Sequence, residues 1–98
     1  MHSLYAENFD REIACTEAEW LTFLPVAIGS HPYRLVARAA SVQIDDGQLA
    51  ISWRNSAFPS QCSQRPLLVS FRHSGLNDAQ RYLFMRCFDA HFPLQRVS

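Results

Sequence analysis

The sequence contains no lysine, and all of its 9 basic residues are arginine. This excludes Schiff-base chemistry, a lysine general base and the lysine of a nucleotide-binding loop. Glycine is also scarce, since the 3 glycines stand isolated at Gly29, Gly47 and Gly75. Loops that bind phosphates or dinucleotides need clustered glycines, so we expect no cofactor. The G-x-S-x-G and H-E-x-x-H motifs are missing as well, which argues against an enzyme without excluding one.

Cysteines and apolar runs are sparse too. Cys15, Cys62 and Cys87 form an odd, widely spaced set without a C-x-x-C pair. Small secreted scaffolds carry a denser, even set, so we expect free thiols in a reducing cytoplasm. No apolar run approaches the roughly 20 residues of a membrane span, and no signal-peptide pattern opens the chain. We therefore expect a cytoplasmic protein without membrane contact.

Length and charge narrow the class further. A chain of 98 residues with 48% hydrophobic and 18% charged residues predicts a single globular domain over residues 1–98. Acidic and basic residues cancel at 9 each. Domains that bind nucleic acid through phosphate contacts usually carry a positive surplus, so we expect no nucleic-acid partner.

The N-terminal part of the domain predicts one strand and one helix. Residues 11–15 have the pattern of a short strand. Thr16 and Glu19 match a capping box, in which the hydroxyl and the carboxylate each accept a hydrogen bond from the other residue's backbone. Pro25 disfavours the helical conformation of the residue before it, so we expect the helix to end at Leu24.

A hairpin is the most specific local pattern in the sequence. Between Tyr33 and Trp53 the apolar residues alternate, and Asp46-Gly47 suits a two-residue turn. The alternation slips near Ala39 and Ala40, which predicts a bulge there. With the turn at Asp46-Gly47, the predicted facing pairs are Ile44 with Leu49, Val42 with Ile51, and Ala40 with Trp53.

The C-terminal part predicts a third main strand and a second helix. The strand covers residues 67–73, and the helix runs from an Asn77 cap to about Phe92, before Pro93. A helical wheel places Cys87 near the centre of the buried face. That predicted face consists of Gln80, Leu83, Phe84, Cys87, Phe88 and His91.

Together these elements predict an α+β fold in the order β-α-β-β-β-α. We expect a small antiparallel sheet with the C-terminal helix packed on one face. Residues 1–9 read as a loosely ordered lead-in, and residues 55–66 as a long polar loop that is either mobile or functional.

The predicted C-terminal helix carries apolar side chains beyond one stripe. Tyr82, Met85 and Phe92 lie on its flank, and excess apolar surface of this kind often marks an association surface. The alternative, which the sequence leaves open, is that the N-terminal segment covers this flank. Cys87 and His91 stand at i, i+4, a spacing that suits a metal, but a small core cysteine is the simpler interpretation and we expect no metal.

Outward-facing arginines on the predicted strands give a second candidate site. Arg38, Arg54 and Arg72 could grip a phosphate or carboxylate if their guanidinium groups converge. The alternative is that such arginines keep the sheet soluble and discourage edge pairing. The leading expectation is therefore a small non-catalytic module that binds a protein partner or associates with itself. The alternative function is small-molecule or anion binding through these arginines, with His31 or His73.

Overall fold

Five strands and two helices make up the part of the chain that the computed structural model describes, residues 6–13, 15–55 and 67–91. The elements are β1 (Asn8–Ile13), α1 (Glu17–Ile28), β2 (Tyr33–Val36), β3 (Ala39–Ile44), β4 (Gly47–Asn55), β5 (Leu67–Ser74) and α2 (Asp78–Ala90). The strands form one antiparallel sheet in the order β1-β5-β4-β3-β2. The predicted α+β class, with a C-terminal helix after the strands, is confirmed.

Both helices pack on the same side of the sheet, which we call the covered face. Along β4 and β5 every second side chain is buried, as one-sided packing requires. One row of cross-strand partners on this face spans all five strands and consists of Phe9, Phe71, Ile51, Ala40 and Leu35. The other side of the sheet, the open face, carries polar and small side chains such as those of Ser41, Ala50 and Arg72.

Aromatic rings join the helices to the covered face. Phe88 of α2 meets Phe71 of the sheet edge-on, with ring centroids 5.7 Å apart. Trp20 of α1 lies 5.6 Å from Trp53 and 6.2 Å from Phe88. Because aromatic side chains bury the largest apolar areas, these four rings form the centre of the core.

Helix α1 begins as predicted and ends later than predicted. The Thr16 hydroxyl accepts from the Glu19 amide at 3.1 Å, and the Glu19 carboxylate accepts from the Thr16 amide at 2.9 Å. The expected end before Pro25 is wrong, because the helix continues to Ile28. Pro25 lacks an N–H, and burial of Ala27 and Ile28 in the final turn offsets that lost hydrogen bond.

The predicted bulge near Ala39 is a two-residue hairpin turn at Ala37 and Arg38. Ala37 has a φ of 54°, the left-handed conformation that such turns require. The residues that flank a two-residue turn face each other across the hairpin, here Val36 and Ala39. They therefore lie on the same face of the sheet, which accounts for the slip in the alternation. The fold has one more strand than the predicted order.

The predicted register of the β3–β4 hairpin is also wrong. Val42 pairs with Leu49 and Ala40 with Ile51, so each β3 residue faces a partner two positions earlier than expected. The turn is formed by Asp45 and Asp46, and Asp45 has a φ of 51°. A shift by two residues leaves every side chain on its expected face. The predicted inward side chains, namely Ala40, Val42, Ile44, Leu49, Ile51 and Trp53, are all buried.

Gly47 is needed for space. Its φ is not in the left-handed region, and it begins β4 directly after the turn. A Cβ at this position would overlap the carbonyl oxygen of Ser74 and lie 2.7 Å from that of Gly75. Glycine therefore lets the hairpin approach the end of β5 closely.

Strand β1 begins earlier than the predicted strand at 11–15, so the lead-in assignment is wrong for residues 8 and 9. The Phe9 ring stacks on Phe71 at 4.9 Å. Arg11 donates to Asp89 of α2 at 2.6 Å and lies over the Phe71 ring. These contacts hold the strand to β5 and α2. The predicted loop at 55–66 lies outside the described residues, apart from Asn55.

Helix α2 is rotated from the predicted orientation, so that Phe84 and Phe88 are buried as predicted but Met85 is buried beside them. Phe84, Met85 and Phe88 are buried, whereas Leu83 is 62% exposed and Cys87 is also exposed. The predicted core positions of Leu83 and Cys87 are therefore wrong. The observed rotation keeps both phenylalanines against the sheet and buries Met85 in place of Leu83 and Cys87.

We expect Met85→Ala to lower the free energy of unfolding by about 2–5 kcal/mol, because it leaves a cavity under α2. Leu83→Ala, two positions away on the exposed side, should change it by less than about 0.5 kcal/mol. Urea unfolding of both variants measures the difference. Equal losses would contradict this assignment of the helix faces.

Candidate functional site

Arg38, one of the three predicted anion-binding arginines, is already paired. Its guanidinium donates twice to the Glu17 carboxylate, at 3.0 and 2.9 Å. The same carboxylate accepts from Trp53 Nε1 at 3.0 Å, on the covered face. The hydrogen bond from Arg38, and then that from Trp53, lowers the pKa of Glu17. Arg38 therefore ties the β2–β3 turn to the start of α1.

The side chains of Arg54 and Arg72 lie on the open face, whereas the Arg38 guanidinium is held at Glu17. Arg72 is opposite Ala50, and Arg54 follows Ala50 by four residues on the same strand. At about 3.3 Å per residue and 4.8 Å between strands, their Cα atoms are about 14 Å apart. The structure therefore does not bring the three predicted arginines to one point.

The predicted interface residues on α2 differ in exposure where the structure describes them. Met85 is fully buried and belongs to the core, so its assignment to an interface is wrong. Tyr82 is half-buried, and the Arg86 guanidinium lies 6.0 Å from its ring centroid. Phe92 lies outside the described residues.

The cysteine and histidine pair of α2 is exposed. His91 Nδ1 lies 2.8 Å from the carbonyl oxygen of Cys87, so this side chain contacts the backbone of the last turn of α2. In the described ranges, no group of three or more His, Cys, Asp or Glu side chains lies close enough to hold a metal. Cys62 falls outside these ranges.

His73 is a buried anchor for β1. The side chain is only 3% exposed, and its Nδ1 lies 3.0 Å from the carbonyl oxygen of Glu7. The His73 backbone amide donates to the same oxygen at 2.8 Å. Burial lowers the pKa of His73, which favours the neutral ring. A side chain this inaccessible holds the N-terminal strand in place and is not available to a substrate.

Most of the large apolar side chains that the structure shows exposed belong to α1 and β2. No Asp, Glu, Lys or Arg occurs between Glu19 and Arg34, and Leu21 and Val26 of α1 are exposed within this stretch. In β2 the exposed fractions are 42% for Tyr33, 47% for Leu35 and 61% for Val36. Apolar exposure of this density on one strand is typical of an association surface.

The backbone of β2 is also available for pairing. The carbonyl oxygen of Pro32 accepts from the Gln43 amide at 2.8 Å. This bond shows which residues of the strand direct their backbone groups to β3 and which direct them away from it. Alternate residues Pro32, Arg34 and Val36 therefore direct their backbone groups to β3. The N–H and C=O groups of Tyr33 and Leu35 point to the opposite side. Within the described residues no strand pairs with β2 on that side, which we call the free edge.

The other edge strand of the sheet is protected by charge. Asp10 and Glu12 of β1 are exposed on the open face, and Arg11 lies between them. Charged side chains on an edge strand discourage pairing with another chain. β2 carries a single charge, Arg34, among three exposed apolar residues. Of the two edges, β2 is the one suited to association.

The sequence contained a signal for this edge. The slip in alternation marks the hairpin turn that separates β2 from β3, and the stretch without charge between Glu19 and Arg34 contains the exposed residues Leu21, Val26 and Tyr33. Neither pattern alone reveals that β2 lies at the edge of the sheet. That position depends on the order of all five strands.

We expect His73 to make the protein less stable at mildly acidic pH. Its folded pKa lies below the unfolded value of about 6.5, so the unfolded chain binds more protons between the two values. The free energy of unfolding should therefore fall as the pH drops below about 6.5. Urea unfolding at neutral pH and at mildly acidic pH measures this slope, which should be smaller in His73→Gln. Parallel pH profiles for the two proteins would contradict the role of His73.

Comparisons with protein-family models, with curated proteins and with solved structures find no match to this chain. Among the described elements, neither helix has the length and apolar character that crossing a membrane requires. The function must therefore be inferred from the chemistry of the β2 edge itself.

Proposed function

We propose that this protein is a small non-catalytic module that associates with a second copy of itself by antiparallel pairing of two β2 strands. The observation that carries this proposal is the free edge of β2. Its backbone donors and acceptors at Tyr33 and Leu35 lie between exposed apolar side chains. A second copy offers the same groups in the arrangement that an antiparallel pair requires.

The phase of these backbone groups is compatible with a register centred on Arg34. With Arg34 opposite Arg34 of the second copy, Tyr33 lies opposite Leu35 of the other copy in both directions. All four N–H groups of the two free edges then find carbonyl partners. At about 0.5–1.5 kcal/mol for each net hydrogen bond, this register uses the edge fully.

A register centred on Leu35 is weaker. It forms two hydrogen bonds at the axis, and its next pair would join Tyr33 to Ala37. Ala37 has a φ of 54° and already turns into β3, so it is not an extended partner. The loss of two hydrogen bonds, about 1–3 kcal/mol, exceeds the cost of about 1 kcal/mol or less for two opposed surface charges.

The side chains around this axis are complementary apart from Arg34. On the covered face, Tyr33 of one copy lies beside Leu35 of the other, and both continue the buried rows of the sheet. On the open face, Val36 lies beside Pro32 of the second copy. The missing N–H of Pro32 has no effect, because this position directs its backbone toward β3.

The dimer should be weak. Five facing residues in each copy, 32–36, are a short contact, and interfaces below about 1,200 Å² are usually of low affinity. We expect a dissociation constant in the micromolar range or above. Because Cys15 and Cys87 are free thiols, we also propose that the protein works in the reducing cytoplasm.

We expect Leu35→Pro to abolish self-association while the fold is retained. The N–H of Leu35 points to the free edge, so proline deletes a donor that only the dimer uses. The β2–β3 hydrogen bonds at Arg34 and Val36 stay intact. Sedimentation velocity over a concentration series measures the change, and circular dichroism checks the fold.

Leu83→Asn provides the control, because Leu83 is an exposed leucine on α2, away from the β2 edge. This variant should associate like the wild type. A wild-type protein that stays monomeric at the highest concentration would refute the proposal. Unchanged dimerisation of Leu35→Pro would also refute pairing through this edge.

A further inference from the structure

Most of the described arginines have partners that neutralise or cover them. Arg11, Arg38 and Arg81 pair with Asp89, Glu17 and Asp78, and Arg86 lies over the Tyr82 ring. The described arginines with neither a carboxylate nor an aromatic partner are Arg34, Arg54 and Arg72. All three point to the open face, where Arg34 replaces the expected Arg38.

Arg34 has neighbours on the open face whose side chains can donate or accept hydrogen bonds. Its cross-strand partner on β3 is Ser41, whose hydroxyl lies on the same side of the sheet. The two residues line an open depression of about 330 Å³ together with Pro32, Tyr33 and Gln43. One copy therefore offers a guanidinium, a hydroxyl and an amide around a shallow site.

Pairing of two β2 strands would double this site. In the register that uses all the free backbone groups, the two Arg34 residues face each other as a non-hydrogen-bonded pair. Their Cα atoms would lie about 4.5 Å apart, with both side chains on the open face. Two like charges in this position oppose pairing unless an anion lies between them.

We propose that a phosphate-like dianion binds at the two-fold axis between the two Arg34 side chains and strengthens the dimer, an inference that rests on the self-association proposed above. Each guanidinium is a planar fork that binds two oxygens at once. A tetrahedral anion presents one pair of oxygens to each fork, whereas a carboxylate has only one pair to give. The Ser41 hydroxyls, one from each copy, stand next to the arginines as further donors.

The site is incomplete in a single copy, so the anion and the second copy should bind together. Without the anion, Arg34 acts as a charge that weakens edge pairing. With the anion, the same residue becomes the main contact across the axis. The association of this protein would then depend on the concentration of a phosphate or a phosphorylated small molecule.

Sedimentation equilibrium of the full chain in inorganic phosphate, compared with sodium chloride of equal ionic strength, tests this inference. Phosphate should tighten the wild-type dimer by about tenfold or more, as expected for charge-assisted hydrogen bonds. Arg34→Gln removes the repulsion and should tighten the dimer in chloride by about threefold to fivefold. The same variant should lose the response to phosphate.

Arg72→Gln is the matched control, because Arg72 is unpaired on the same face but lies three strands from β2. It should keep the full response to phosphate. A dimer that forms equally well in phosphate and in chloride would overturn the anion site and leave the self-association intact. A protein that stays monomeric in both salts would overturn the self-association itself.

Discussion

The fold depends on the burial of one face of a five-stranded sheet beneath two helices. Trp20 and Phe88 supply the contacts at the centre of this layer, against Trp53 and Phe71. The apolar rows of the covered face extend beyond this centre to Tyr33 and Leu35, both of which are half-exposed. The core thus reaches the β2 edge without being closed there. The proposed association follows from this single property, since a second copy would continue the same layer.

The sequence was sufficient to predict which residues of the central strands face inward, because strand alternation depends only on local spacing. It was not sufficient to predict their register. A shift of two positions keeps Val42 and Leu49 on the covered face, so the apolar pattern is equally satisfied by both alignments. The choice between them comes from the Asp45–Asp46 turn and from the close approach of Gly47 to β5, which is a contact distant in sequence.

Helix faces and sites were harder to predict for a similar reason. Phe84 and Phe88 have Met85 on one side and Leu83 and Cys87 on the other, and only packing against the sheet selects the Met85 side. The sequence did not reveal that Arg38 is paired, because its partner, Glu17, is 21 residues away in sequence. Arg34 was missed because β2 had been merged with β3, which hid the edge position of this residue.

Amide hydrogen exchange in β2, measured by NMR at low and at high protein concentration, tests the central claim most directly. The amides of Arg34 and Val36 bond to β3 and should exchange slowly at both concentrations. Those of Tyr33 and Leu35 should exchange rapidly in dilute solution and slowly in concentrated solution, where the free edges pair. Rapid exchange of Tyr33 and Leu35 at every concentration would contradict the pairing of this edge. Slow exchange in dilute solution would show that the edge is already closed within one copy.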